Sequence, residues 1–272
     1  MKFLITGHHG FIGKNLWDCL EDLGHTLVGI DESFFELNNW SKSLREYLVT
    51  NKFDGIFHVG ACSDTLETDV NYMMTRNYEF TKILVDWCKE NARPIIYSSS
   101  AANYGTNGQF PSNLYGWSKY VSEDYVISNG GVALRYFNVY GPKEEHKGKM
   151  ASVAFQMFIK NQKKEPIYLF PGKPKRDFVY VKDIVSANLF AYENYQSIIG
   201  KFYEVGSGTA STFEEVLEYM QIDFSYTSQE HIPNGYQFFT ESKKELWLPG
   251  WKSQWTLELG IKDYKMYLEK FL

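Results

Sequence analysis

The chain has 272 residues, a formal net charge of −5, and a composition that is 44% hydrophobic, 17% aromatic and 22% charged. That length accommodates one large domain or a main domain with a small companion, and the composition excludes disordered and collagen-like classes. No apolar run approaches the roughly 20 residues that span a bilayer, and a mildly acidic balance offers no general attraction to nucleic acid. A soluble protein with a small-molecule ligand, and neither a nucleic-acid nor a membrane partner, is therefore expected. Cys19, Cys62 and Cys88 are odd in number, widely separated and outside any metal-ligand spacing. They read as small side chains in a reducing, cytoplasmic compartment, and no metal site is expected.

In chain order, residues 2–6 read as a first strand, since their hydrophobic stretch is too short for a signal peptide and runs straight into a glycine-rich turn. A helix is expected over 10–23, strands over 26–30 and 55–59, a helix over 70–91, a strand over 94–98, a helix over 115–128 and a strand over 131–135. Strands regularly separated by helices imply βαβ units and an α/β fold with a doubly wound parallel sheet. From about Gly141 the alternation breaks, with turn signals at Tyr140-Gly141-Pro142, Phe170-Pro171-Gly172-Lys173-Pro174, Ile232-Pro233-Asn234-Gly235 and Leu248-Pro249-Gly250. Residues 1–140 are expected to form a dinucleotide-binding domain. Residues 141–272 are expected to form mainly a smaller C-terminal substrate-binding lobe, some of whose segments return to the first domain.

Gly7-His8-His9-Gly10-Phe11-Ile12-Gly13 sets three glycines between the first strand and the first helix. Glycine permits the tight turn and close backbone approach that a pyrophosphate needs, and the helix N-terminus supplies amide donors and partial positive charge. The second strand ends on Asp31, where a carboxylate can hydrogen-bond the adenosine ribose. Glu32 follows, and no Lys or Arg appears until Lys42, so electrostatics favour NAD over NADP.

Tyr115 and Lys119 stand four residues apart, on one face of a helix. An ammonium beside a phenol favours the phenolate, bringing it toward the range where it can exchange a proton with a substrate hydroxyl. Ser100 closes the run Ser98-Ser99-Ser100 at the end of a strand, where its hydroxyl can reach the same substrate oxygen. Without the nucleotide motif, Tyr and Lys at this spacing would read as an ordinary helix face.

Gly7-x-x-Gly10-Phe11-Ile12-Gly13, Ser98-Ser99-Ser100, Tyr115-x-x-x-Lys119, Arg135-Tyr136-Phe137-Asn138-Val139-Tyr140-Gly141-Pro142 and Arg176-Asp177-Phe178-Val179-Tyr180-Val181-x-Asp183 together resemble the extended short-chain dehydrogenase/reductase superfamily, in order along nearly the whole chain. Within it, His58-x-Gly60-Ala61-Cys62-Ser63, Tyr72-Met73-Met74, His146-Lys147-Gly148-x-Met150-Ala151-Ser152-Val153-Ala154-Phe155 and Gly235-Tyr236-Gln237 resemble the ADP-L-glycero-D-manno-heptose 6-epimerase family. The resemblance implies a Rossmann-type first domain, a tightly held NAD or NADP, a nucleotide-sugar substrate, a homo-oligomer and a role in lipopolysaccharide or other surface-glycan synthesis. By position, Ser100, Tyr115 and Lys119 match the family's catalytic set, and Lys147 matches a second catalytic group. Inverting a carbinol through a ketone requires acid/base groups for both substrate orientations.

Cofactor contacts implied in the same way are Gly7, Gly10, Phe11, Ile12, Gly13, Asp31, Glu32, Val59, Gly60, Ala61, Cys62, Ser63, Asn77, Tyr115, Lys119 and Val139. Substrate contacts are Ser100, Asn138, Lys149, Gln156, Phe170, Gly172, Lys173, Arg176 and Tyr236, with Arg176 suited to pair a diphosphate bidentately. The chain departs from the family where Lys149 stands for a serine, Gln156 for a histidine, and Pro171 and Lys173 alter the sugar-nucleotide loop. It is also shorter, with little between Gly105 and Tyr115 and a trimmed segment before Tyr236. The family's basic residue after the second strand is missing, which opposes its usual NADP preference. A 4-epimerase of another nucleotide sugar and a non-catalytic nucleotide-binding protein on the same fold are the alternatives. A dehydratase is disfavoured, because Ser100 is followed by Ala101-Ala102 rather than by an acidic pair.

Overall fold

Strand β1 (Lys2–Thr6), helix α1 (Phe11–Asp22), strand β2 (Thr26–Ile30), helix α2 (Trp40–Thr50) and strand β3 (Gly55–His58) begin the chain in the computed structural model, which describes residues 1–106, 108–232 and 236–271. They are followed by α3 (Val70–Met74), α4 (Phe80–Glu90), β4 (Ile95–Ser100), α5 (Leu114–Ser128) and β5 (Val132–Tyr136). The chain divides into two units, Met1–Arg135 with Val185–Tyr203, and Tyr136–Ile184 with Glu204–Leu272.

In the first unit the strands form one sheet in the order β2-β1-β3-β4-β5, completed by the strand Lys201–Val205. Parallel pairing sets Leu4 beside both Val28 and Ile56, and Phe57 beside Ile96. Helices cover a parallel sheet on both faces, so its strands are nearly continuous apolar runs. Leu4, Ile56, Leu84, Tyr97 and Ala133 accordingly belong to one buried cluster. This is a Rossmann-type, doubly wound α/β fold.

The expected 70–91 helix forms, but not as one regular rod. A π-helical turn at Thr75–Glu79 separates α3 from α4 and turns Asn77 inward, to 1% exposure. Such turns inside helices commonly mark functional positions. Helix α2 is not apparent from the sequence, because it buries only Leu44 and Leu48 and its remaining surface is polar.

The second unit holds a three-stranded sheet ordered Ala210–Thr212, Lys175–Tyr180, Asn138–Tyr140, the first pairing antiparallel and the second parallel. Its central strand carries Asp177, fully buried, whose carboxylate accepts hydrogen bonds from Ser207, Gly208 and Ser242 and so fastens two loops. The helix Phe213–Met220 starts with a complete capping box between Thr212 and Glu215. Gly141, Gly172 and Gly250, from three of the expected turns, take positive φ. The fourth turn, at Ile232-Pro233-Asn234-Gly235, and Gly235 of the Gly235-Tyr236-Gln237 motif lie outside the described residues from position 233 on. Among the described residues, no helix is long and apolar enough to cross a membrane.

Candidate functional site

The glycine turn is built for close backbone packing. Gly7, at φ +67, donates from its amide to Ile30 O at 2.8 Å, and Gly10 N donates to Gly7 O at 2.9 Å. A Cβ on Gly7 would lie 2.5 Å from Gly60 Cα, and one on Gly13 would lie 2.0 Å from Gly7 O. Neither position tolerates a side chain. Gly10 is the N-cap of α1 and provides no side-chain cap, so the first amides of a 12-residue helix are left for an anion. Phe11 is buried and Ile12 half-buried in that first turn. The cradle fits a dinucleotide pyrophosphate.

Asp31 follows β2 with its carboxylate already partly engaged: Oδ2 accepts from His9 N at 2.8 Å and Oδ1 from Glu32 N at 2.9 Å. Glu32 is exposed and accepts from Tyr72 Oη at 2.8 Å and Arg76 Nε at 3.1 Å. The Arg76 guanidinium lies 3.6 Å over the Tyr72 ring. Sequence reasoning found no basic residue near Asp31. The structure supplies one from the π turn, too far along the chain for any local signal to reveal.

The loop Val59 to Ser63 after β3 is half-buried except for exposed Ser63. Gly60 N donates to Thr6 Oγ1 at 3.0 Å. Asn77 brackets Cys62, accepting from its amide at 2.7 Å and donating to its carbonyl at 2.9 Å, and also donates to Ser118 at 2.8 Å. The Asn77 amide is thus spent on protein groups, and it acts on this loop from behind.

His58, the first residue of the motif His58-x-Gly60-Ala61-Cys62-Ser63, anchors the same region. Its ring nitrogens bond Thr6 Oγ1 and Thr81 Oγ1, each at 2.7 Å. Burial, aided by the charge of Lys119, pushes its pKa from 6.5 down to about 3. Between those two values the unfolded chain binds a proton that the folded chain refuses, so stability is lost as pH falls from 6.5 toward 3. Urea midpoints measured from pH 7 to 4.5 are expected to drop less steeply for His58→Asn than for the native chain. Equal slopes would remove His58 from the acid response.

Ser100 and Tyr115 meet through a side-chain hydrogen bond. Ser100 Oγ also accepts from Ala102 N at 3.1 Å, capping a short turn. Asn113 caps α5 by accepting from Gly116 N at 2.8 Å, which fixes where the Tyr115 helix begins. The expected ammonium-to-phenol effect is not what dominates here. Burial raises the Tyr115 pKa, and its bond to Ser100 opposes that only in part. The Lys119 ammonium lies 4.5 Å over the Tyr97 ring, and burial brings its own pKa down to about 7 against the opposing charge of Glu123. Desolvation outweighs pair attraction for both groups.

In the second unit, Lys147 sits half-buried in the turn Glu145–Met150, where burial lowers its pKa and the Glu144 carboxylate opposes the shift. Glu144 is itself fully buried and accepts from Ser152 N, Ser152 Oγ and Tyr264 Oη. Gln156 donates to Ala151 O at 2.7 Å and Lys149 O at 3.2 Å, so its amide holds the turn's backbone. Lys149 and Lys173 are exposed.

Phe170 packs edge-on against Tyr236 at 5.1 Å, Tyr236 against Phe238 at 5.3 Å, and the Arg176 guanidinium lies 5.3 Å over the Tyr236 ring. A Cβ on Gly172 would come 3.1 Å from the Phe238 ring. Phe170, Gly172, Arg176 and Tyr236 thus form one aromatic-cationic cluster. Asn138 is exposed and Val139 half-buried on the strand paired with Phe178 and Val179.

The NAD dependent epimerase/dehydratase family profile matches residues 3–206. An ADP-L-glycero-D-manno-heptose-6-epimerase of Brachyspira hyodysenteriae is 35% identical, covering 98% of both chains. That alignment spans 316 positions, more than this chain's 272, so the relative carries segments that this chain lacks. The crystal structure of Helicobacter pylori ADP-L-glycero-D-manno-heptose-6-epimerase superposes with a TM-score of 0.80 at 27% identity, covering 98% of this chain and 96% of that one. A Thermotoga maritima UDP-glucose 4-epimerase with UDP-glucose gives 0.85 at 24% identity over 99% of each, which shows the shared fold. With a full-length relative at that identity and a matching profile over most of its length, this chain belongs to the NAD-dependent epimerase/dehydratase family.

Proposed function

We propose that the chain is a nicotinamide-dependent nucleotide-sugar epimerase acting at carbon six of an ADP-heptose. The observation that carries the reading is the half-buried Ser100–Tyr115 hydroxyl pair, where the end of β4 meets the head of α5, in the unit that also holds the glycine cradle. The B. hyodysenteriae and H. pylori relatives support the sugar class. Gly7, Gly10, Gly13, Asp31 and the Val59–Ser63 loop hold the dinucleotide. When bound, the nicotinamide supplies hydride acceptance and return.

Tyr115, once its phenol has released its own proton to solvent, takes the carbinol proton as the carbon is oxidised, and Ser100 donates to the same oxygen. The phenol is protonated in the free protein, its pKa raised by burial, and Lys119 exchanges protons near pH 7. Lys147 serves as the second acid/base group, for the opposite configuration. Arg176 pairs the diphosphate, with Tyr236 and Phe170 packing the nucleotide portion. Assembly as a homo-oligomer belongs to the same reading.

NAD is the preferred cofactor. Two carboxylates, Asp31 and Glu32, meet the adenosine ribose, and Glu32 already occupies the Arg76 guanidinium. Fluorescence titration is expected to show NAD binding at least about tenfold tighter than NADP, roughly 1.4 kcal/mol. Glu32→Gln frees Arg76 for a 2′-phosphate and narrows that gap. An unchanged gap would remove Glu32 from cofactor choice. Incubating the protein with ADP-D-glycero-D-manno-heptose and following carbon six by NMR tests the reaction: a mixture of both epimers is expected, and no conversion by protein that binds dinucleotide contradicts the sugar assignment. A 4-epimerase then becomes the better reading, with exposed Lys149 and Lys173 as the guide to its sugar.

A further inference from the structure

His8 and His9 have no role in the proposed chemistry. They converge with Asp31 so that one potential ligand atom from each lies within 4.8 Å of the others. His8 Nδ1 is 3.6 Å and His9 Nδ1 3.4 Å from Asp31 Oδ2. Zinc bonded to imidazole nitrogen and carboxylate oxygen at its usual lengths, in tetrahedral geometry, places neighbouring ligand atoms about 3.4 Å apart. The three groups therefore need only small side-chain adjustments to surround an ion.

His8 is held for this. Its ring lies against Gly29, where a Cβ would come within 2.4 Å of three ring atoms, and it meets the rings of His9 at 3.8 Å and Trp17 at 5.2 Å at tilted angles. Its Nδ1 is buried without a hydrogen-bond partner among the described residues. An unsatisfied buried nitrogen aimed at a carboxylate is costly unless something fills the gap.

We propose that His8, His9 and Asp31 form a binding site for a divalent transition-metal ion of the zinc type, with a fourth position open to solvent. Two imidazoles and one carboxylate favour zinc, cobalt and nickel over magnesium or calcium, which prefer oxygen ligands. One consequence rests on the dinucleotide reading: the ion takes Asp31 from the adenosine ribose, so metal and dinucleotide exclude one another and free metal inhibits the enzyme competitively with its cofactor.

The test uses the whole protein, washed with EDTA, freed of dinucleotide and desalted, with Zn²⁺ titrated against a chromophoric chelator and Co²⁺ read by its visible absorption. One equivalent is expected to bind, with affinity falling roughly tenfold or more in His9→Gln. His9 is 73% exposed, so that variant folds as the native chain does. No stoichiometric binding, or equal affinity in His9→Gln, overturns the site. Repeating the titration with saturating NAD separates the two readings. Release of the metal supports both, while metal binding that is lost in His9→Gln yet persists under NAD keeps the site and overturns the ribose placement at Asp31.

Discussion

Tyr115→Phe is expected to lower turnover by about 10²- to 10⁴-fold, the range supplied by a positioned general acid/base. The phenyl ring fills the same space, and only the hydroxyl that meets Ser100 is removed. On the proposed reading the glycine turn and Asp31 hold the dinucleotide, so its affinity in this variant is expected to stay within a few-fold of native. Stopped turnover with retained cofactor places the effect on the chemical step. Undiminished turnover would take Tyr115 out of catalysis and favour a base elsewhere.

The second large effect concerns stability. Glu123 and Arg135 form a bidentate pair whose side chains are only 3% and 8% exposed. The carboxylate also accepts from Ser99 at 2.6 Å and Asn103 at 3.1 Å, and the guanidinium lies 3.6 Å over the Phe202 ring. Removing one partner strands the other charge in a low-dielectric interior, at a cost of about 3–5 kcal/mol. Glu123→Ala should therefore lower the urea midpoint sharply with little change in slope. Glu46→Ala is the control. Its pair with Lys42 is 66% and 70% exposed, and such pairs contribute about 0–1 kcal/mol. Equal losses in the two variants would show that burial does not govern these ion pairs.

The parallel sheet and the glycine turn were legible because both rest on local signals: uninterrupted apolar runs in β1, β3 and β4, and glycines whose positions admit no Cβ. Strand Lys201–Val205 and helix α2 were not, since each reads as a weak, half-polar segment until its neighbours are in place. At the site, residue types were readable but their electrostatics were not. Spacing alone put an ammonium beside the Tyr115 phenol, whereas desolvation of the phenol itself reverses the direction expected for Tyr115. Arg76 and Glu144 were missed for a related reason. Arg76 acts on Glu32, 44 residues away and brought to it by folding, whereas Glu144 stands three residues before Lys147 and its full burial is not visible in the sequence of that turn.

The most direct test of the central claim uses ADP-D-glycero-D-manno-heptose carrying deuterium at carbon six, incubated with the protein in ordinary water and followed by NMR. Inversion by oxidation and re-reduction within one bound complex predicts a mixture of both epimers with the deuterium still on carbon six. Inverted product that has exchanged its deuterium for solvent hydrogen would show proton abstraction from carbon instead, and would contradict the account.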